Sequence, residues 1–120
     1  MDTGRECCFD ILDNLFKGDF VLLRHIVTWN HIDGICDDGK RTNALKVKKE
    51  LEALADSINE IIEIKVYINE LSSSTTDIML DSLFENEETL NAYKIHPEHQ
   101  RVGDFISSVM KNRVAFDYYV

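Results

Sequence analysis

The sequence predicts an α+β fold of the ferredoxin-like kind, a four-stranded antiparallel sheet with helices on one face. Three observations lead there. Apolar and polar residues alternate over several short runs, the pattern of half-buried strands. Two longer stretches carry apolar residues at helical spacing. The resulting order is strand, helix, strand, strand, broken helix, strand, which right-handed crossovers close into a single sheet.

The first strand is expected over Leu22–Trp29, with Leu23, His25, Val27 and Trp29 on one face and Leu22, Arg24, Ile26 and Thr28 on the other. Asp33-Gly34 and Asp38-Gly39 mark the loop after it. A helix is predicted from about Lys40 to Ser57, because Ala44, Val47, Leu51, Leu54, Ala55 and Ile58 form one apolar stripe. The charges opposite, Lys46, Lys49, Glu50, Glu52 and Asp56, read as its solvated side. Ile62 to Ile68 alternates cleanly and predicts the second strand; Ile78 to Phe84 predicts the third. Asn86 is placed to cap a helix whose first turn holds Glu87 and Glu88, where the helix dipole favours negative charge. That helix should stop before Pro97, since the residue preceding a proline is driven out of helical geometry. Pro97 then opens a last helix with Val102, Phe105, Ile106 and Val109 on one side. Val114, Phe116 and Tyr118 alternate in a closing strand.

The inner face is assigned Ile62, Ile64, Val66 and Ile68 with Val114, Phe116 and Tyr118. The outer face would then carry Tyr67, Met79, Leu83, Ala115 and Tyr119, too much apolar surface to leave in water. A second sheet is expected to cover it.

A chain of 120 residues has room for one domain with its own core. With 22 acidic and 13 basic side chains its formal charge is −9, and no basic patch is visible, so no nucleic-acid partner is expected. No apolar run is long enough for a membrane span, so no membrane partner is expected either. Cys7, Cys8 and Cys36 form neither a disulfide framework nor a CxxC metal motif, which suits a reducing, cytoplasmic setting. Residues 1–20 differ from the rest and read as an N-terminal extension to a domain over residues 21–120. Phe9, Leu12, Leu15 and Phe16 could make a short amphipathic helix. Alternatively the extension is a mis-assigned start, since Lys17-Gly18-Asp19 can be encoded by a ribosome-binding sequence ahead of a GTG start at Val21.

Chemistry concentrates in Tyr93-Lys94-Ile95-His96-Pro97-Glu98-His99. A single HxxH pair offers two ligands, too few for a metal site, and no cofactor motif occurs. Acid–base work fits better: histidine titrates near neutrality and tyrosine can donate to a developing oxyanion. The competing reading makes His96 a helix cap, His99 a surface or carbonyl-bonded ring, and His25 a satisfied core histidine.

The opening Leu23-Arg24-His25-Ile26-Val27, the run Glu88-Thr89-Leu90-Asn91-Ala92-Tyr93, the His96-Pro97-Glu98-His99 step and the terminal Val114-Ala115-Phe116-Asp117-Tyr118 together resemble the dimeric α/β-barrel (Dabb) family, also called the stress-responsive A/B barrel domain. The resemblance covers residues 22–119. It implies a ferredoxin-like subunit that dimerises through its sheets into a dimeric α/β barrel. It further implies, by similarity to a plant polyketide cyclase of the family, that Tyr93 and His99 are candidate catalytic residues and that His25 sits beside them; His96 joins His25 as a candidate ligand-binding residue. Two classes of function follow: a homodimer binding or converting a small hydrophobic or carbonyl-containing molecule, or a non-catalytic dimer module with structural histidines. A cavity of roughly 300 Å³ or more reached by both rings would mark the first.

Overall fold

The structure, a computed structural model, describes residues 21–120. The expectations for residues 1–20, as an extension, an amphipathic helix or a mis-assigned start, lie outside the described residues. Four strands and four helices follow the predicted order: β1 (Leu23–His31), α1 (Asp37–Glu52), α2 (Leu54–Ser57), β2 (Glu63–Ile68), β3 (Ile78–Phe84), α3 (Glu87–Ile95), α4 (Pro97–Val109) and β4 (Met110–Tyr119). The sheet order is β2-β3-β1-β4, with every pairing antiparallel. This is the ferredoxin-like arrangement, with the helices on one face.

Alternation in β1 is the organising feature. Leu23, His25, Val27 and Trp29 are all buried toward the helices. Opposite them on β3 stand Phe84, Ser82, Leu80 and Ile78. α1 and α2 lay Ala44, Val47, Leu51 and Leu54 on that face, and α3 and α4 add Leu90, Tyr93, Val102 and Ile106. The first helix begins three residues earlier than predicted. Cys36 takes extended geometry and its Sγ accepts from the Gly39 backbone N–H, while Asp37 and Asp38 occupy the first turn. The predicted single helix to Ser57 is divided at Ala53. Ile62 lies outside β2 and is half-exposed, so it does not join the inner face.

β2 is an edge strand, and the sequence guards it. Lys48 Nζ donates to the Val66 carbonyl (2.8 Å), and Glu52 Oε2 accepts from the Val66 N–H (2.9 Å) and from Lys48 (2.7 Å). Two side chains of α1 thus occupy backbone groups that would otherwise invite another strand. The Glu52 carboxyl is held below its ordinary range: burial pushes it up, but Lys48 and the Val66 amide outweigh that.

β4 overturns one expectation. Val114, Phe116 and Tyr118 do not face the helices. They pair with Thr28, Ile26 and Arg24 on the outer face, where Phe116 is 67% exposed. Ala115 and Tyr119, expected outside, pair with Val27 and Leu23 on the helix side. The cause is a bulge. Thr28 pairs with Val114 but Asn30 pairs with Lys111, so two residues, Asn112 and Arg113, oppose Trp29 alone. One extra residue inverts the facing of everything after it. Asn112 takes φ 55°, a left-handed conformation that asparagine tolerates better than most residues.

Candidate functional site

The bulge decides which side chains reach the inner face of β4. Arg113 and Asp117 now point the same way as His25. His25 Nδ1 meets Asp117 Oδ1 at 2.5 Å. A carboxylate only accepts, so in the neutral ring the proton sits on Nδ1 and the Nε2 lone pair is free. His25 is 2% exposed, and its backbone carbonyl accepts from the buried Ser82 hydroxyl (2.9 Å). Burial lowers the His25 pKa, and the bond and charge of Asp117 only partly offset it.

The helix pair supplies the other half. Asn86 and Thr89 form a capping box at the start of α3, with mutual side-chain and backbone bonds. α3 then delivers Tyr93 into the core with no exposed surface. Its chain leaves helical geometry at His96 (φ −63°, ψ 136°), as Pro97 requires, and restarts as α4. The turn brings His99 back over Tyr93, ring centroids 4.5 Å apart at 63°. Tyr93 also lies 6.2 Å from His25 and 4.8 Å from Phe84.

Two polar atoms here stand out. Tyr93 Oη and His99 Nδ1 are buried and have no hydrogen-bond partner among the described residues. Native proteins leave few such groups. Both residues line a cavity of about 110 Å³ between the sheet and α3–α4, together with His25, Trp29, Gly103 and Arg113. A Cβ on Gly103 would meet nothing within 4 Å, so that helical glycine keeps its side of the space open. The cavity is smaller than the roughly 300 Å³ expected of a small-molecule pocket. A void of about 150 Å³ holds benzene, which sets the scale of what fits: about six non-hydrogen atoms, not a polyketide chain.

Burial sets the protonation states. It raises the Tyr93 phenol well above its ordinary value, against a small opposing effect of Arg113, so Tyr93 is a neutral hydrogen-bond donor. Burial also lowers His99, against a bond to the Lys94 backbone and with help from the charges of His25, Arg113 and Lys94. The site therefore offers a neutral imidazole beside a neutral phenol.

The structure brings His25, Tyr93 and His99 together and leaves His96 apart. His96, expected to bind ligand, caps α4 instead: its Nδ1 accepts from the Glu98 N–H (3.1 Å) and it does not line the cavity. His31 Nδ1 is likewise buried without a partner among the described residues, but His31, at the end of β1, does not line the cavity. Asp77 is tied to the backbone of His31 (2.8 Å), and Asp81 is paired with Arg24 on the outer face. Asp117 and Arg113 were missed as site residues; only the bulge exposes their direction. No group of three metal-binding side chains occurs among the described residues.

A ferredoxin-like subunit whose outer sheet face is exposed among the described residues, with Tyr93 and His99 packed together under its helices, defines the class. The family model of the stress responsive A/B barrel domain, Dabb, matches residues 23–120, and the chain belongs to that family. Among solved structures, a dimeric ferredoxin-like protein of unknown function from Bacteroides fragilis is 29% identical, covering 82% of this chain and 96% of its own, with a TM-score of 0.78. A second dimeric ferredoxin-like protein of unknown function, from Thermobifida fusca, is 22% identical over 83% and 92% of the two chains, TM-score 0.71. A hydroxynitrile lyase from Passiflora edulis shares the fold at 12% identity, covering 82% and 93%, TM-score 0.69. No curated protein sequence matches the chain.

Proposed function

We propose that this protein is a homodimer that binds a small carbonyl compound in the cavity beneath α3 and α4 and moves a proton on it. The observation that carries the reading is the pair of buried polar atoms without a partner among the described residues, Tyr93 Oη and His99 Nδ1, on two residues that line one cavity. Buried polar atoms ordinarily find partners; these two atoms are left for a ligand. With its lone pair on Nδ1, His99 accepts a proton from the carbon beside the carbonyl. The C–H electron pair becomes the carbon–carbon double bond of an enolate, and the carbonyl π pair moves onto oxygen. Tyr93 donates its hydroxyl hydrogen bond to that oxyanion. The imidazolium then returns the proton. Asp117 acts through His25, fixing its tautomer so that Nε2 is an acceptor. The fold is shared with a hydroxynitrile lyase from Passiflora edulis, which supports a small-molecule reading.

The homodimer reading is supported by the outer sheet face and by the dimeric relatives. Tyr67, Val114, Phe116 and Tyr118 are exposed together there. Joining two such faces would bury on the order of 2,000 Å².

The test is titration with methyl pyruvate, followed by NMR of the histidine imidazoles and the Tyr93 ring. Shifts confined to His25, Tyr93 and His99, lost in Gly103→Leu, are expected. No shift at those residues at millimolar ligand refutes the site. Light scattering checks the dimer: Phe116→Asp should yield monomers, and a wild-type monomer at micromolar concentration refutes it.

A further inference from the structure

The cavity carries one more group that the reaction above does not use. Arg113 is the one arginine or lysine among its lining residues. It has no salt bridge and no side-chain hydrogen bond among the described residues, whereas Arg24 and Arg101 are both paired. It stands there because the bulge at Asn112 turns it inward, at the cost of a left-handed residue. Bulges of this kind commonly re-aim a side chain next to a functional site. Without the extra residue, Arg113 would project from the outer face.

We propose that Arg113 anchors the carboxylate of the ligand, and that the ligand class is a small 2-oxo acid. The proposal rests on the carbonyl site argued above and narrows it. A planar guanidinium offers a fork of donors matched to a carboxylate. Tyr93, His99 and Arg113 line one space of about 110 Å³, so a carbonyl held by the first two and a carboxylate held by the third must be adjacent in one short molecule. The 2-oxo acid is the smallest compound that meets both demands. The local field agrees. In a chain of net charge −9, the Arg113 and Lys94 side chains both act on His99 as positive charges. Asp117, the acidic side chain directed into the region, is engaged by His25.

The experiment compares pyruvate with methyl pyruvate, which keeps the ketone and removes the charge. Binding of each is followed through the Tyr93 and His99 NMR signals, in the wild-type protein, in Arg113→Gln and in Arg113→Lys. Pyruvate should bind wild type about tenfold more tightly than the ester, since a charged hydrogen bond at a partly exposed site is worth roughly one decade. Arg113→Gln should erase that preference and leave ester binding unchanged; Arg113→Lys should keep part of it. Equal binding of acid and ester by wild type, or a preference that survives Arg113→Gln, overturns the carboxylate anchor while leaving the carbonyl site standing. If neither compound moves the Tyr93 and His99 signals, both the anchor and the carbonyl site are refuted. Arg113 is exposed, so thermal melts of the variants should match wild type and separate lost binding from lost fold.

Discussion

Replacing Tyr93 by phenylalanine removes one oxygen from the protein, and the sign of the stability change separates a working site from a structural one. The ring itself is fixed by packing. It contacts His99 at 4.5 Å and Phe84 at 4.8 Å between centroids, and phenylalanine keeps both contacts. The hydroxyl is the variable. It is buried and finds no partner among the described residues. An unsatisfied buried polar group costs about 1–3 kcal/mol, and water in the adjoining cavity can recover part of that. Tyr93→Phe is therefore expected to leave stability unchanged or raise it by up to about 2 kcal/mol. At about 4–8 °C per kcal/mol for a domain of this size, the melting temperature should hold or rise by several degrees. A hydroxyl serving the fold would behave oppositely, its loss costing about 1 kcal/mol. Thermal and urea denaturation of the two proteins read the difference. Methyl pyruvate binding, measured in parallel, should weaken about tenfold as the donor to the carbonyl disappears. A melting temperature lowered by more than a few degrees, with ligand binding intact, would refute the argument. Tyr93→Ala is the control for packing and should cost about 3–5 kcal/mol.

Three further outcomes can be checked. His25 and His99 both have pKa values lowered by burial, so the unfolded chain takes up protons before the folded one as pH falls. Stability should be full above the ordinary histidine value and decline below it, by at most about 1.4 kcal/mol per pH unit for each ring; urea midpoints across that range should show it, with a shallower slope in His99→Gln. Gly103→Ala should stabilise α4 by about 0.5–1 kcal/mol in denaturant melts, because its Cβ enters open space and alanine is the better helix former; the same methyl should weaken methyl pyruvate binding. A chain beginning at Val21 should melt within a few degrees of the full one, since the core from Leu23 to Met110 is closed among the described residues; a loss of many degrees by calorimetry would show that residues 1–20 pack on it.

The division between what the sequence discloses and what it hides follows from which signals are local. The helix boundaries around residue 96 are written in short-range chemistry: Asn86 as a cap, Pro97 as a stop and a start. Hence the convergence of Tyr93 and His99 is legible, because the turn that produces it lies between them. The core face of β1 is equally local, an alternation that survives in the structure residue by residue. β4 fails for a reason that alternation cannot supply. Both of its faces are candidates for burial, one against helices and one against a second sheet, so the apolar set Val114, Phe116 and Tyr118 does not say which cover it seeks. The answer lies in a single unpaired step at Asn112–Arg113, and asparagine is a modest hint of left-handed backbone. That step exchanges an apolar triplet for Arg113 and Asp117 on the inner face. One residue of register thus does two things at once. It turns the apolar set of β4 outward, to the face proposed for the dimer, and it turns a cation and a carboxylate inward, beside His25 and the cavity. The bare outer face and the charged inner site have a common cause, and a deletion of Asn112 that restored regular pairing should disrupt both together.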